Sequence, residues 1–143
     1  MNKKLFTGIC DYLASQVPDL LWIDEDTGQL ESEERPPVAF PCCLIDIQYP
    51  ECSTGIAGAQ RIRAQIQVRL AFNCCASTNS RVPEAIREKA LSRLDVVESV
   101  HNALQWWAMN REINPLKRLN ASTERRTDGL KVYVLTYETQ FSD

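Results

Sequence analysis

Hydrophobic and polar residues alternate almost without error from Gln60 to Asn73, in the stretch QRIRAQIQVRLAFN. A period of two is typical of a β-strand that sets one face against a core and leaves the other face polar. The apolar face comprises Ile62, Ala64, Ile66, Val68, Leu70 and Phe72, and the polar face comprises Arg61, Arg63, Gln65, Gln67 and Arg69. A slip of one residue would turn three arginines into the core. The pattern therefore predicts a fixed register and a sheet with a single buried side.

The region before this strand predicts one helix and two further strands. Apolar residues at helical spacing predict an amphipathic first helix that ends at Pro18. A short strand is predicted from Leu20 to Asp24, and a second strand runs from Cys42 to Tyr49 and stops at Pro50. This second strand is expected to pair antiparallel with the long alternating strand, because the connection between them is short.

A helical period of 3.6 replaces the alternation from Pro83 to Met109, after a polar loop from Cys74 to Val82. The apolar stripe of this region comprises Ile86, Ala90, Leu94, Val97, Val100, Leu104 and Trp107. Arg93 lies within the stripe, and two explanations remain open. The region forms two helices, the second capped by Ser92, or it forms one straight helix from which the arginine extends to solvent.

The last part of the chain predicts a hairpin. A weakly apolar strand from Leu116 to Arg126 is followed by a turn at 127–129 and an alternating strand from Leu130 to Phe141. The predicted order is α-β-β-β-α-β-β. This order predicts an α+β protein with one mostly antiparallel sheet and helices packed on one face, in a single domain of residues 1–143 with an acidic loop at 24–35.

Composition narrows the class of protein. The chain has 143 residues, 44% of them hydrophobic and 24% charged, which suits one domain with a real core. Its net charge of -3 argues against a dedicated nucleic-acid binder, which needs an excess of lysine and arginine over a whole face. No segment approaches the roughly 20 apolar residues needed to span a membrane, so no membrane partner is expected.

Six cysteines are present, and four of them form the adjacent pairs Cys42-Cys43 and Cys74-Cys75. Neighbours in a strand point to opposite faces, so neither pair can readily form a disulfide within itself. We interpret them as reduced, apolar cysteines of a cytosolic protein. With no Cys-x-x-Cys and one histidine, zinc is not expected, and no cofactor motif is present.

Candidate catalytic residues are few. The tripeptide Asp26-Thr27-Gly28 is found in aspartic proteases, but here it lies in a run of acidic residues and is interpreted as a turn. His101 lies beside the apolar stripe and is interpreted as a packed core histidine. The sequence therefore predicts a protein that is not an enzyme. The alternative is a small cytosolic α+β enzyme or ligand-binding domain that uses His101 or a cysteine.

Two surface features are candidates for interfaces. The arginine face of the long strand is a solvated surface, a contact with a neighbouring copy, or the lining of a passage for something negatively charged. In the second case its partners are the acidic residues Glu31, Glu33 and Glu34. A nucleic-acid adaptor that uses Arg61, Arg63 and Arg69 is a further hypothesis. Trp106 points away from the helical stripe on a helical wheel and is the other interface candidate.

The order of five segments carries a family resemblance. VPDLLWID, FPCCLIDIQY, RIRAQIQVRLAF, HNALQWW and DGLKVYVLTYETQF follow one another along the chain. In this pattern the chain resembles the tail terminator and tail-to-head joining (minor tail) proteins of long-tailed bacteriophages. The likeness lies in pattern and spacing, so no catalytic or binding residue is carried over.

This resemblance implies a non-enzymatic structural protein of a phage or prophage head-to-tail junction. Its subunits would form a ring, usually of six copies, that caps the tail tube and docks to the head. The implied partners are other copies of the chain, a tail-tube protein and a head-completion or connector protein, with DNA passing through the ring without sequence-specific binding. The implied location is the bacterial host cytoplasm during assembly and then the virion. A head-closure ring and a component of a conjugation or secretion tube are the alternatives.

Overall fold

A computed structural model of the chain describes residues 1–32, 35–73 and 77–143. Its helices and strands are α1 (Asn2–Gln16), β1 (Trp22–Glu25), β2 (Cys42–Thr54), β3 (Gln60–Asn73), α2 (Glu84–Leu104), β4 (Lys117–Glu124) and β5 (Leu130–Ser142). The α+β class is confirmed. Short 3-10 helices, which the sequence pattern did not predict, interrupt the order at Gln29–Glu31, Ile56–Gly58 and Met109–Arg111.

One five-stranded sheet, in the order β1-β2-β3-β5-β4, forms the centre of the molecule. Only the β1 and β2 pair is parallel among its strand pairs, and the other pairs are antiparallel. The long alternating strand is β3, and it lies in the middle of the sheet. It pairs with β2 on one side and, from Arg61 to Asn73, with β5 on the other.

Both helices pack on the same face of the sheet, as predicted. Each helix contributes a row of buried residues, and both rows pack against the apolar face of β3 to form the main core. The rows are Leu5, Ile9 and Leu13 of α1, Val96, Val100 and Leu104 of α2, and Ile62, Ala64, Ile66, Val68, Leu70 and Phe72 of β3. The apolar face read from the alternation is thus the buried face. The register is held because the polar residues of β3 alternate with this row.

The prediction of a single buried side is wrong at one end of the sheet. A second apolar cluster lies on the opposite face and comprises Leu30, Cys42, Leu44, Ala71, Val132 and Val134. Leu30, in the 3-10 helix between β1 and β2, is 1% exposed. Burying a leucine side chain stabilises the folded state by about 1.5 to 3 kcal/mol, so Leu30 anchors on the sheet the acidic loop to which it belongs, which we call the acidic segment. The alternation in β3 shows which residues share a face, but it does not show what covers that face.

β2 does not stop at Pro50, as the sequence pattern had predicted. The strand runs on to Thr54, with a shift of register between Gln48 and Glu51. β1 pairs with β2 only from Cys42 to Ile45, so the later part of β2 is an edge of the sheet. A proline is tolerated on an edge or at a bulge because its missing N–H is not needed in the ladder.

α2 is one continuous helix, so the two-helix explanation is wrong and the straight-helix alternative is confirmed. Ser92 donates its hydroxyl hydrogen bond to the Lys89 carbonyl instead of capping a second helix. Arg93 extends from the helix, where its Nη1 donates to the Ala90 carbonyl at 2.6 Å and its Nε donates to the Tyr133 hydroxyl at 3.3 Å. The long aliphatic part of the side chain lets the charge leave the core.

The buried stripe of α2 also differs from the predicted one. The helix ends at Leu104, before the predicted limit at Met109. Ile86 and Leu94, which were assigned to the stripe, are 49% and 45% exposed, while Val96 is buried. The N-terminal half of α2 thus presents apolar side chains that the described residues do not cover.

Candidate assembly surfaces

The buried end of the polar sheet face is organised around Arg69. This residue of β3 is 8% exposed, and its guanidinium contacts three carboxylates. Its Nη1 lies 2.7 Å from Glu31 and 3.2 Å from Asp26, and its Nε and Nη2 donate a bidentate pair of hydrogen bonds to Glu124 at 2.8 and 2.9 Å. Bidentate pairs of this kind are the strongest ion pairs that arginine forms.

Arg126, just after β4, extends the same network. Its Nη1 donates to Glu124 at 2.7 Å and its Nη2 donates to Asp128 at 2.7 Å and to the Leu30 carbonyl. We call this set of two arginines and four carboxylates the Arg69 ion cluster, which comprises Arg69, Arg126, Asp26, Glu31, Glu124 and Asp128. It ties the acidic segment to β3 and to the turn between β4 and β5, which are far apart in sequence.

The pKa values within the cluster follow from these contacts. Burial alone would raise the pKa of Glu124, but hydrogen bonds from Arg69 and Arg126 outweigh it and lower the pKa. The hydrogen bond from Arg126 lowers the pKa of Asp128. Burial would lower the pKa of Arg69, yet its bonds to Glu124, Glu31 and Asp26 raise it, so the guanidinium stays charged.

The other two arginines of the β3 face have different surroundings. Arg63 is half-buried, with its Nη1 3.4 Å from Glu138 and its Nε 3.3 Å from Glu51, the latter without hydrogen-bond geometry. Arg61 is exposed and forms no ion pair with any residue of the described ranges. Of the three arginines on this face, only Arg61 is unpaired within the described ranges. The ion pair between Arg69 and Glu31 lies within one chain. Glu33 and Glu34 lie outside the described residues.

Between these two ends the polar face is mostly uncharged. A shallow depression across β2, β3, β5 and β4 is lined by Asp46, Gln48, Gln65, Gln67, Leu119, Asn120 and Thr136. Most of these side chains carry amides or a hydroxyl, which donate and accept hydrogen bonds without a fixed charge. The middle of the sheet face therefore offers hydrogen bonds with little net electrostatic attraction.

Trp106 is 62% exposed and lies just beyond the end of α2. Its φ of +68° falls in the left-handed region, which L side chains rarely adopt. Its N–H donates to the Leu116 carbonyl at 2.8 Å, and the Leu116 N–H donates to the Trp107 carbonyl at 2.9 Å, so the backbone is held on both sides. Lys117 Nζ lies 5.8 Å from the centroid of the exposed ring. The indole is thus presented outward on a fixed backbone.

Trp107 has the opposite surroundings. Its ring stacks on Tyr12 of α1 with centroids 5.2 Å apart and an interplanar angle of 19°. Trp106 points outward, as predicted, but its position on a helix is not the reason. The helix has already ended at Leu104, and the left-handed residue is what turns the two indoles to different sides.

His101 does not form a catalytic pair with any described cysteine. Its Nδ1 lies 2.9 Å from the Tyr137 hydroxyl, and the two rings stack. Burial, followed by the charge of Arg118, lowers the pKa of His101. Burial raises the pKa of Tyr137. The pair is a packed polar contact between α2 and β5, in agreement with the interpretation of His101 as a core histidine.

Three of the described cysteines, Cys10, Cys42 and Cys43, are poor candidates for activated nucleophiles. Burial raises the pKa of Cys10 and of Cys42 to about 11, and it raises the pKa of Cys43 as well. The thiol therefore dominates at neutral pH, whereas nucleophilic attack needs the thiolate. Cys52 is exposed on β2. Cys74 and Cys75 lie outside the described residues.

No group of three or more histidine, cysteine or acidic side chains in the described ranges could hold a metal ion. None of the helices in this part of the chain is long and apolar enough to cross a membrane.

The Arg69 ion cluster was missed by sequence reasoning. A single large apolar residue, Leu30, within the acidic segment was one available signal, because a solvated loop has no need of it. The other was the stretch Arg126-Thr127-Asp128-Gly129, in which an arginine flanks a turn aspartate. Neither signal identifies Arg69 as the partner, because that contact depends on the order of strands in the sheet.

The chain is similar to known proteins at the level of the fold. No protein-family model matches the chain, and no curated protein matches it. Its fold matches a chain in the solved structure "Virion of native gene transfer agent (GTA) particle", with a TM-score of 0.59 and 12% sequence identity. The match covers 97% of this chain and 95% of the other. The two chains therefore share a fold over nearly their whole lengths.

Proposed function

We propose that this chain is a non-enzymatic structural subunit of a phage or phage-like particle. The observation that carries the proposal is the fold match to a gene transfer agent virion chain, because it covers 97% of this chain and 95% of that one. Fold alone does not define function, so the surfaces must also suit assembly.

The particular role that we propose is a ring at the head-to-tail junction, which caps the tail tube and docks to the head. A head-to-tail ring needs two different, complementary patches on each subunit. Trp106 is suited to one of them. A large aromatic side chain on a fixed backbone loses little conformational entropy on binding, and tryptophan is enriched among residues that dominate interface energies.

Charged residues contribute to the proposed contact between copies. Because Arg69 already pairs with Glu31 and Arg63 with Glu138 within one chain, the contact relies on Arg61 and on Glu33 and Glu34. Glu31 remains 56% exposed and can accept a further contact at the rim. Such rim charges set orientation and association rate more than affinity.

The remaining partners follow from the same role. We propose that the subunits assemble in the bacterial host cytoplasm with a tail-tube protein and a head-completion or connector protein, and then remain in the virion. The amide-lined depression is proposed to face the channel. Uncharged hydrogen-bonding groups would let DNA pass without the salt-dependent attraction that lysine and arginine produce.

Ring assembly is tested by light scattering on the purified protein, alone and with the cognate tail-tube protein, followed by negative-stain imaging. Trp106→Ser should weaken each contact between subunits at least about tenfold, the effect of losing about 1.4 kcal/mol at the interface, and should therefore move assembly to higher protein concentration. Leu21→Ser is the matched control, because Leu21 is 65% exposed, close to the 62% of Trp106, and lies on none of the proposed surfaces. The control should assemble as the unchanged protein does.

Monomers alone, at high protein concentration and also with the tail-tube protein, would refute the ring. Equal assembly by Trp106→Ser and the unchanged protein would refute the role of the indole while leaving the ring in place. No described contact favours the enzyme alternative, since His101 is paired with Tyr137.

A further inference from the structure

A groove runs along the N-terminal half of α2, on the side that faces the end of β3 and the approach to β2. We call it the α2 groove. Its described lining comprises Arg35, Phe40, Pro41, Phe72, Asn73, Ala85, Ile86, Lys89, Ala90, Ser92, Arg93 and Val96. Apolar side chains dominate the floor, and Ile86 is 49% exposed within it. An exposed apolar floor rimmed by polar residues is a feature of sites that bind a partner.

The charge of the α2 groove is opposite to that of the whole chain. Arg35, Lys89 and Arg93 line it, and no carboxylate is present among its described lining residues. The chain as a whole carries a net charge of -3. None of the three cations forms an ion pair with a described residue, whereas the cations of the Arg69 ion cluster are surrounded by carboxylates. Three cations with no ion pair in the described ranges, beside an apolar floor, attract an anionic partner.

The position of Arg93 is fixed, which makes its charge part of the shape of the groove. Its guanidinium donates to the Ala90 carbonyl and to the Tyr133 hydroxyl, both neutral acceptors. The charge is therefore held in place without being neutralised. A carboxylate that approaches along the helix meets a donor that needs little further ordering.

We propose that the α2 groove binds a segment of a different protein in which apolar side chains are interspersed with carboxylates. The apolar side chains pack on Ile86 and the phenylalanines of the floor, and the carboxylates pair with the three cations. A basic or neutral segment has no carboxylates to pair with the cations, and a purely acidic segment has no apolar side chains to pack on the floor. The inference rests on the lining and charge of the groove and does not depend on the ring proposed above.

The test uses fluorescence anisotropy of labelled synthetic peptides of roughly 16 residues, long enough to form a marginal helix. The probe peptide contains only leucine at helical spacing and glutamate elsewhere. One comparison peptide replaces every glutamate by lysine, and another replaces every leucine by serine. The probe should bind the full chain at least about tenfold more tightly than either comparison peptide, and the difference from the lysine peptide should shrink between about 0.15 M and 1 M salt.

Three variants locate the binding. Ile86→Asp places a carboxylate on the apolar floor and should weaken the probe at least about tenfold, while Leu94→Asp should change it less than about twofold. The two substitutions are matched, because both residues lie on α2 at nearly equal exposure and only Ile86 lines the groove. A cooperative thermal unfolding transition for each variant is the check that it is folded. Lys89→Glu should weaken the probe about three- to tenfold at low salt and much less at high salt.

Equal binding of the glutamate and lysine peptides would overturn the inference, as would equal effects of Ile86→Asp and Leu94→Asp. Absence of probe binding at millimolar concentration would overturn it too. Sedimentation of the protein without peptide tests whether a second copy of this chain occupies the groove instead. If the unchanged protein self-associates and Ile86→Asp alone makes it monomeric, the groove is occupied by a second copy and the proposal of a different protein is wrong.

Discussion

Removing the charge of Arg69 tests whether the ion cluster holds the acidic segment in place. Arg69→Met keeps much of the aliphatic length and removes the guanidinium. Asp26, Glu31 and Glu124 are then left with Arg126 as the single cation of the cluster. Because the Arg69 side chain is 9% exposed, these carboxylates lose a partner in a region that water reaches poorly.

The expected loss of stability follows from the burial of each partner. Breaking a fully buried ion pair by removing one member destabilises a protein by about 3 to 5 kcal/mol. Glu31 and Glu124 are 56% and 28% exposed, so water will screen part of the unbalanced charge. We therefore expect the free energy of unfolding to fall by about 2 to 4 kcal/mol, equivalent to a decrease in Tm of about 6 to 14 °C for a domain of this size.

Chemical denaturation, monitored by tryptophan fluorescence, measures this difference. Arg61→Met is the matched control, since Arg61 lies on the same face of β3, is exposed and has no ion pair with a described residue. It should change the free energy of unfolding by less than about 0.5 kcal/mol. Adding Glu124→Gln to Arg69→Met should recover about 1 kcal/mol, because it removes one of the unbalanced charges.

The effect should also depend on pH. The pKa of Glu124 is lowered below its usual 4.5 in the folded protein, so its contribution is fully present above that pH and is lost as the pH falls towards the folded-state pKa. The difference between the unchanged protein and Arg69→Met should therefore shrink below pH 4.5. If Arg69→Met proves no less stable than Arg61→Met at neutral pH, the cluster does not stabilise the fold and this reasoning is wrong.

Three further outcomes are expected. Thiol labelling of the native protein, read by peptide mass spectrometry, should modify the exposed Cys52 well before the buried Cys43, and the reverse order would contradict the described packing. Because burial lowers the pKa of His101, the neutral form stabilises the fold above pH 6.5 and that stability declines as the pH falls. Replacement by Gln should flatten this slope, and an unchanged slope would place the titration elsewhere. A Cβ at Gly8 would lie 3.1 Å from the Met109 sulfur, which is flexible enough to shift, so Gly8→Ala should raise the free energy of unfolding by up to about 1 kcal/mol through helix propensity, whereas the larger Gly8→Val should lower it by about 1 to 3 kcal/mol, as measured by urea denaturation.

Local sequence pattern predicted those parts of the fold that depend on neighbouring residues. The alternation of β3 defined its bounds and its buried face, and the turn before Leu130 indicated the last hairpin, because both signals are local. The extension of β2 past Pro50 was not predictable in the same way. It depends on whether another strand lies beside that residue, which is a property of the whole sheet.

The candidate surfaces show the same limit. Trp106 was identified as an outward aromatic residue, but its left-handed backbone depends on pairing with Leu116. Arg69 was identified as polar, yet nothing near it in sequence shows that it is buried and paired with Glu124. The α2 groove was not predicted, because the periodicity of α2 placed Ile86 in the core.

The pairing of β3 with β5 has a consequence for how the chain folds during synthesis. β3 is complete at Asn73, but its partner begins 57 residues later, at Leu130. At a synthesis rate of about 5 to 20 residues per second, one edge of the central strand waits roughly 3 to 11 s for the strand that covers it. An uncovered edge is a template for pairing with other chains. Production together with a chaperone that binds unfolded chains should therefore raise the soluble yield.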